Sequence, residues 1–92
     1  MTVAETIRKK LIDAFAPTVL DIEDESHRHA GHSGARPEGE THFRVTIVSA
    51  AFAGLSRVAR QRRVYAVLSQ ELMDRVHALS LTALAPDEMR RA

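Results

Sequence analysis

The sequence predicts a small α+β domain in which a three-stranded mixed sheet carries helices on one face. A chain of 92 residues suits one domain, here residues 1–92, with a single modest core. Its apolar residues recur with a helical period in some segments and with a strand period in others, in the order α-β-β-α(α)-β-α. Because helix separates the last two strands, we expect those two to pair in parallel through a right-handed crossover.

The first helix is predicted from Thr2 to Phe15. Thr2 and Glu5 have the spacing of a capping box, in which each side chain bonds to the backbone amide of the other residue. Pro17 cannot continue the helix. The predicted apolar face consists of Ile7, Leu11, Ala14 and Phe15.

Three segments alternate between apolar and polar residues, which is typical of half-buried strands: Val19 to Asp24, His42 to Ser49 and His77 to Leu84. The first two should form a hairpin. The segment between them, Glu25 to Glu40, is polar and contains several glycines, so we predict a long mobile loop. Loops of this length in compact domains are usually functional or disordered.

A connector, Ala50 to Gly54, leads into a helical segment from Leu55 to Met73. The period is compatible with a break into two helices near Arg60 but does not locate one. A short last helix should begin at Pro86, where Asp87 and Glu88 suit the positive end of the helix dipole. The apolar face predicted for the long segment consists of Val58, Val64, Tyr65, Val67, Leu68 and Leu72.

Charge and composition exclude several classes of function. The 13 basic and 12 acidic residues leave a net charge of +1, so the overall charge predicts no polyanionic partner. With no cysteine, the chain can form no disulfide and supply no thiolate. No apolar run approaches the roughly 18 residues of a membrane span, and the N-terminus lacks a signal-peptide pattern. We therefore expect a cytoplasmic protein.

The histidines are the first candidates for chemistry, because four of the five lie at positions 27, 29, 32 and 42. Neutral imidazole is a common metal ligand, but these positions fit no ligand motif of fixed spacing. Spacing alone therefore favours a solvated polar loop over a metal site. By the same reasoning, His42 is interpreted as a capping or packing residue and His77 as a hydrogen-bonding residue at the start of a strand.

The arginines form a second group. Arg57, Arg60, Arg62 and Arg63 crowd one helical segment beside Tyr65, and guanidinium groups on such a segment can bind phosphates. The low net charge and the scarcity of aromatic residues favour a solvated basic face instead. The sequence also lacks a glycine-rich phosphate loop and a nucleophile–base motif, so no enzymatic activity is predicted.

Several runs, in order and spanning Thr2 to Glu88, resemble the BolA family. Residues 24–29 read Asp-Glu-Ser-His-Arg-His and residues 40–45 read Glu-Thr-His-Phe-Arg-Val. Further matches are Val-Ser at 48–49, Phe-Ala-Gly at 52–54, Arg-Gln-Arg-Arg-Val-Tyr at 60–65, Glu-Leu at 71–72 and Val-His-Ala-Leu-Ser-Leu at 76–81. The family often has Arg-His-Arg where this chain has Arg-Gln-Arg at 60–62. The hairpin loop of the BolA family is also shorter than the loop predicted for this chain.

The resemblance implies a fold like a class II KH domain, in agreement with the predicted element order. It does not imply the nucleic-acid grip of KH domains, which needs a Gly-x-x-Gly loop between two helices. Here that spacing occurs at Gly31 and Gly34, inside the predicted hairpin loop. The family resemblance instead implies partnership with a monothiol glutaredoxin, either without metal or around a shared [2Fe-2S] cluster. In that cluster the glutaredoxin cysteine and glutathione supply thiolates, and the BolA-like chain supplies histidine.

The resemblance assigns His77 to the C-terminal ligand position of the family and His29 to the second, variable ligand in the loop. Because the loop is longer than usual, His32 and His27 stay open as rival loop ligands. The isolated protein should hold no cofactor and be a monomer or a weak dimer. The alternative function, also known in the family, is a DNA-binding transcriptional regulator. It would use a helix-turn-helix-like surface with Arg57, Arg60, Arg62 and Arg63.

Overall fold

The computed structural model describes residues 2–25, 42–74, 76 and 78–89. It confirms the predicted α+β class and the predicted order of elements. The predicted hairpin loop lies outside the described residues, apart from Glu25. The elements are α1 (Val3–Phe15), β1 (Val19–Asp24), β2 (His42–Val48), a 3-10 helix (Ala50–Phe52), α2 (Arg57–Val67), α3 (Ser69–Asp74), β3 (Ala78–Leu84) and α4 (Pro86–Met89).

The three strands form one mixed sheet in the order β1-β2-β3. Strand β1 is antiparallel to β2, and β2 is parallel to β3, as predicted. At one end of the sheet β1 finishes while β2 and β3 begin, and we call this the amino end of the sheet. At the other end, the carboxyl end, Val48 lies between Val19 and Leu84.

The core lies between the helices and one face of the sheet. Strand β2 supplies its centre, since Phe43, Val45 and Ile47 are at most 2% exposed while Arg44 points to solvent. Each fully buried side chain of this size stabilises the fold by about 1.5–3 kcal/mol relative to its exposed state. The rest of the core is contributed mainly by Ile7, Leu11 and Phe15 of α1, Phe52 of the 3-10 helix, Val64, Leu68 and Val76.

Helix α1 begins and ends by the predicted local contacts. The Thr2 hydroxyl accepts a hydrogen bond from the Glu5 amide at 3.1 Å, and the Glu5 carboxylate accepts one from the Thr2 amide at 3.0 Å. At the other end Ala16 adopts a left-handed conformation and its amide donates to the carbonyl of Ile12, immediately before Pro17. Ala14, predicted to belong to the apolar face, is exposed.

The long helical segment differs from the prediction in two respects. Its break lies at Leu68, between α2 and α3, and not near Arg60. The Val58 side chain, predicted to face the core, is 53% exposed. In the first turns of α2 it is Arg60 that is buried, while Val64, predicted to face the core, does so. No helix among the described residues is long and apolar enough to cross a membrane.

Ser49 joins three elements at the carboxyl end of the sheet. Its side chain is buried, and its hydroxyl donates to the carbonyl of Phe15 at 2.6 Å and accepts from the amide of Ala51 at 3.1 Å. Its own amide donates to the carbonyl of Leu84 at 2.9 Å. The rings of Phe15 and Phe52 pack beside it, with centroids 5.0 Å apart. Ser49 therefore connects the end of α1, the 3-10 helix and the end of β3.

Candidate functional site

The amino end of the sheet brings together the chain segments in which the predicted histidine ligands occur. Strand β1 finishes at Asp24, opposite Phe43. Strand β2 begins at His42, whose register partner in β3 is Ala78. The chain therefore leaves the described structure after Glu25 and re-enters it at His42, at the same end of the sheet where β3 begins.

Contacts with β2 hold Glu25, the first residue of the predicted loop, in place. The amide of Glu25 donates to the carbonyl of His42 at 2.7 Å. The Glu25 carboxylate, whose side chain is 15% exposed, forms an ion pair with the Arg44 guanidinium at 3.3 Å. Glu25 is thus fixed by both its backbone and its side chain.

The predicted ligand His77, the loop candidate His29 and its rivals His32 and His27 all lie outside the described residues. Their assignments remain predictions. The described neighbours are Glu25, two positions before His27, and Ala78, directly after His77. Within the described part of the chain, no three histidine, aspartate or glutamate residues are grouped so that they could hold a metal ion.

The arginines of α2 do not form one surface. Arg57, Arg62 and Arg63 are exposed, whereas Arg60 is only 8% exposed. The Arg60 guanidinium donates to both carboxylate oxygens of Glu88, at 2.6 and 3.2 Å. The assignment of Arg60 to a phosphate-binding surface is therefore corrected, because its donors are committed inside the fold.

Arg60 and Glu88 together connect α2, β3 and α4. The Arg60 guanidinium also donates to the carbonyls of Leu55 and Ala83, each at 3.0 Å. The Glu88 carboxylate accepts from the amide of Ala85 at 2.7 Å, which caps the start of α4. Sequence reasoning gave Glu88 only a helix-dipole role, since nothing in the local pattern links it to a residue 28 positions earlier.

Arg57 lies at a well-formed helix start. The Ser56 hydroxyl accepts from the amide of Ala59 at 3.1 Å and caps α2. Gly54 precedes this cap with φ of +79°, a conformation that other residues rarely adopt. Arg57 is the first residue of α2 and makes no ion pair with any described residue.

Comparison with known proteins identifies the family. The family described as BolA-like protein matches residues 11–88. An uncharacterized protein in the cobS 5' region of Sinorhizobium sp is 51% identical over 92 residues and is covered over 99% of both chains. Protein BOLA1, chloroplastic, of Arabidopsis thaliana is 46% identical over 87 residues, which are 92% of this chain but 54% of that protein. This chain thus spans about half the length of that relative, and its predicted cytoplasmic location remains a prediction.

Two further matches are a relative whose name includes an activity and a protein of known structure. The protein named DNA-binding transcriptional regulator BolA of Haemophilus influenzae is 38% identical over 90 residues, covering 98% of this chain and 84% of that protein. The structure of BolA1 from Arabidopsis thaliana superimposes with a TM-score of 0.86 at 43% identity over 96% of each chain. The chain belongs to the BolA-like family.

Proposed function

We propose that this chain acts by binding and not by catalysis, as the partner of a monothiol glutaredoxin. The two proteins would form a heterodimer without metal, or share a glutathione-ligated [2Fe-2S] cluster in iron-sulfur trafficking or in iron or redox sensing. His77 and His29 would be the ligands from this chain, with His32 and His27 as the rival loop ligands.

The convergence of strand ends at the amino end of the sheet is the observation that carries the proposal. Strands β1 and β3 are separated by two strand spacings, which amount to about 10 Å. His29 follows Glu25 by four residues, a stretch that spans up to about 14 Å when extended. His77 directly precedes Ala78. These distances are compatible with one ligand from each of the two segments on a single iron, which supports the proposal.

The donor set also suits a shared cluster. Because the chain has no cysteine, thiolate ligands must come from the partner and from glutathione. Imidazole in place of thiolate on one iron raises the reduction potential of a [2Fe-2S] cluster.

Reconstitution tests the proposal directly. The chain is mixed with a monothiol glutaredoxin, glutathione, iron and sulfide, and visible circular dichroism is recorded. We expect a spectrum distinct from that of the glutaredoxin homodimer, and a changed spectrum or shorter cluster lifetime with His77→Ala. His42→Ala is the matched control, since it removes an imidazole at the same end of the sheet from a residue not predicted to be a ligand. An unchanged spectrum and lifetime with His77→Ala would rule out His77 as a ligand.

DNA binding is a second candidate, favoured by the name of the Haemophilus influenzae relative and by the three exposed arginines of α2. Three phosphate contacts predict a slope of about −3 for log affinity against log salt concentration. The double variant Arg62→Glu, Arg63→Glu should abolish the weak, non-specific binding expected at physiological salt, while the fold is retained. Arg60 is left unchanged because it is buried. Tight, sequence-selective binding by the isolated chain would place this function first.

A further inference from the structure

The two edges of the sheet differ in how they are protected against pairing with other chains. Strand β1 carries acidic residues at Asp21, Glu23 and Asp24, and charges on an edge strand discourage the addition of another strand. Strand β3 forms the other edge with the sequence Ala-Leu-Ser-Leu-Thr-Ala-Leu, which has no charged residue over seven positions. Charged residues like those of β1 are missing from β3.

The hydrogen bonds of β3 show which of its backbone groups face away from the sheet. Because Leu84 accepts from Ser49 at the end of β2, the alternate residues Leu79, Leu81 and Ala83 direct their backbone groups outward. Two outward carbonyls are used by α2: that of Leu79 accepts from the Tyr65 hydroxyl at 3.4 Å and that of Ala83 accepts from Arg60. Among the described residues, the three outward amides and the carbonyl of Leu81 have no partner.

A groove runs along this edge between α2 and β3. Its volume is about 190 Å³. The wall on α2 is formed by Arg57, Gln61 and Tyr65, which recur every four residues, and the floor includes Leu79 and Leu81. Arg57 is the charged residue in this lining, is exposed, and has no ion-pair partner among the described residues. The groove thus combines unpaired backbone groups, apolar side chains and one free cation.

We propose that the outer edge of β3 accepts an extended segment of a partner protein, which adds as a fourth strand and places an acidic side chain beside Arg57. The backbone of the segment would pair with Leu81 and with the amides of Leu79 and Ala83, as in other cases of β-strand addition. Its side chains on one face would contact Leu79, Leu81 and Tyr65. This site uses none of the histidines, so it stands independently of the proposed cluster.

The lining favours a peptide over single-stranded nucleic acid. A nucleic-acid groove follows the phosphates with several cations and stacks bases on several aromatic rings. Among the described residues, the lining of this groove has one cation, Arg57, and one aromatic ring, that of Tyr65. A row of outward backbone groups spaced two residues apart matches the repeat of an extended peptide.

Selection from a phage-displayed library of random dodecapeptides tests the proposal on the full chain. Enriched peptides are synthesised and added to the isotope-labelled protein, and amide shifts and hydrogen exchange are followed by NMR. We expect enriched peptides to contain aspartate or glutamate and to slow exchange at the amides of Leu79, Leu81 and Ala83. Arg57→Glu should weaken binding by about tenfold or more. Arg63→Glu is the matched control, as an exposed arginine of α2 outside the groove, and should bind nearly as wild type.

A proline substitution gives a second test on the backbone. Leu81→Pro removes an outward amide while leaving the bonds to β2 available, and proline is tolerated on edge strands in that orientation. It should abolish peptide binding in a protein that still folds. If the proline variant fails to fold, the comparison of peptide binding by Arg57→Glu and Arg63→Glu still tests the proposal. The proposal is overturned if no peptide is enriched, if the two charge reversals weaken binding equally, or if oligo-dT shifts the β3 amides while acidic peptides do not.

Discussion

The two ends of the sheet use their polar residues in different ways. At the carboxyl end, buried polar groups are paired across elements that are distant in sequence: Ser49 with Phe15, and Arg60 with Ala83 and Glu88. At the amino end, the described polar contacts hold Glu25, the residue after β1, against His42 and Arg44 at the beginning of β2. The carboxyl end is thus built for stability, while the amino end supports the segments with the predicted ligands.

This difference separates substitutions that should lower stability from those that should affect function. Buried hydrogen-bonded groups are costly to disrupt, because the partner left behind stays buried without its bond. Side chains outside such networks usually contribute little to stability. The predictions below follow from this contrast, from the largest expected change in the free energy of unfolding to the smallest.

Arg60→Ala should destabilise the protein most, by about 2–4 kcal/mol, because Glu88 and two backbone carbonyls lose the guanidinium as a donor. Urea unfolding followed by far-UV circular dichroism measures the change. Arg63→Ala, on the same helix but exposed, is the matched control and should lie within about 0.5 kcal/mol of wild type. If both variants have the same free energy of unfolding, the contacts of Arg60 do not stabilise the carboxyl end of the sheet.

Ser49→Ala should cost about 1–2 kcal/mol, since the Phe15 carbonyl loses its donor and the Ala51 amide its acceptor. Equilibrium unfolding of this variant is compared with that of Ser80→Ala, which removes a hydroxyl from an exposed position of β3. The Ser80 variant should be close to wild type. A smaller loss for Ser49→Ala than for Ser80→Ala would contradict the role given to Ser49.

His77→Ala should change stability by less than about 0.5 kcal/mol while altering the shared cluster. The described contacts near this position are made by backbone groups of neighbouring residues. The amide of Val76 donates a hydrogen bond to the carbonyl of Glu71, and the pairing of β3 with β2 begins at Ala78. Unfolding and reconstitution are therefore measured on the same preparation. Strong destabilisation would mean that His77 supports the fold, in which case a changed cluster would say nothing about ligation.

Alanine substitutions at His27, His29 and His32 should have the smallest effect on stability, again below about 0.5 kcal/mol. The visible spectrum of the heterodimer separates them, and we expect loss of the wild-type spectrum with His29→Ala alone. A loss confined to His32→Ala or His27→Ala would transfer the ligand role to that residue. Equal tolerance of all three changes would mean that the loop supplies no ligand.

The local features of the fold were predictable from the sequence because their causes are local. The capping box of Thr2 and Glu5 involves residues three positions apart, and the alternation in β2 requires only a sheet with one buried face. The crossover between β2 and β3 follows from the helix between them. The family resemblance rests on runs of residues and is confirmed by the match over residues 11–88.

The burial of Arg60 in α2 was not predictable in the same way. The apolar period would place Val58 in the core, yet Val58 is exposed and Arg60 is buried. An arginine is buried only when its donors find acceptors. Of the three acceptors here, the carbonyl of Leu55 is near in sequence, but the carbonyl of Ala83 and the carboxylate of Glu88 are more than 20 residues away. No pattern within α2 contains that information.

The sequence by itself determined the class of fold, the family and the absence of thiolates, because these depend on composition, on local period and on ordered runs of residues. Tertiary structure decided which arginines stay exposed, where the long helical segment breaks, and that the ends of β1, β2 and β3 meet. It also decided that β3 presents a partly unpaired edge beside Arg57. These features depend on contacts between distant segments, and only the packed chain defines such contacts.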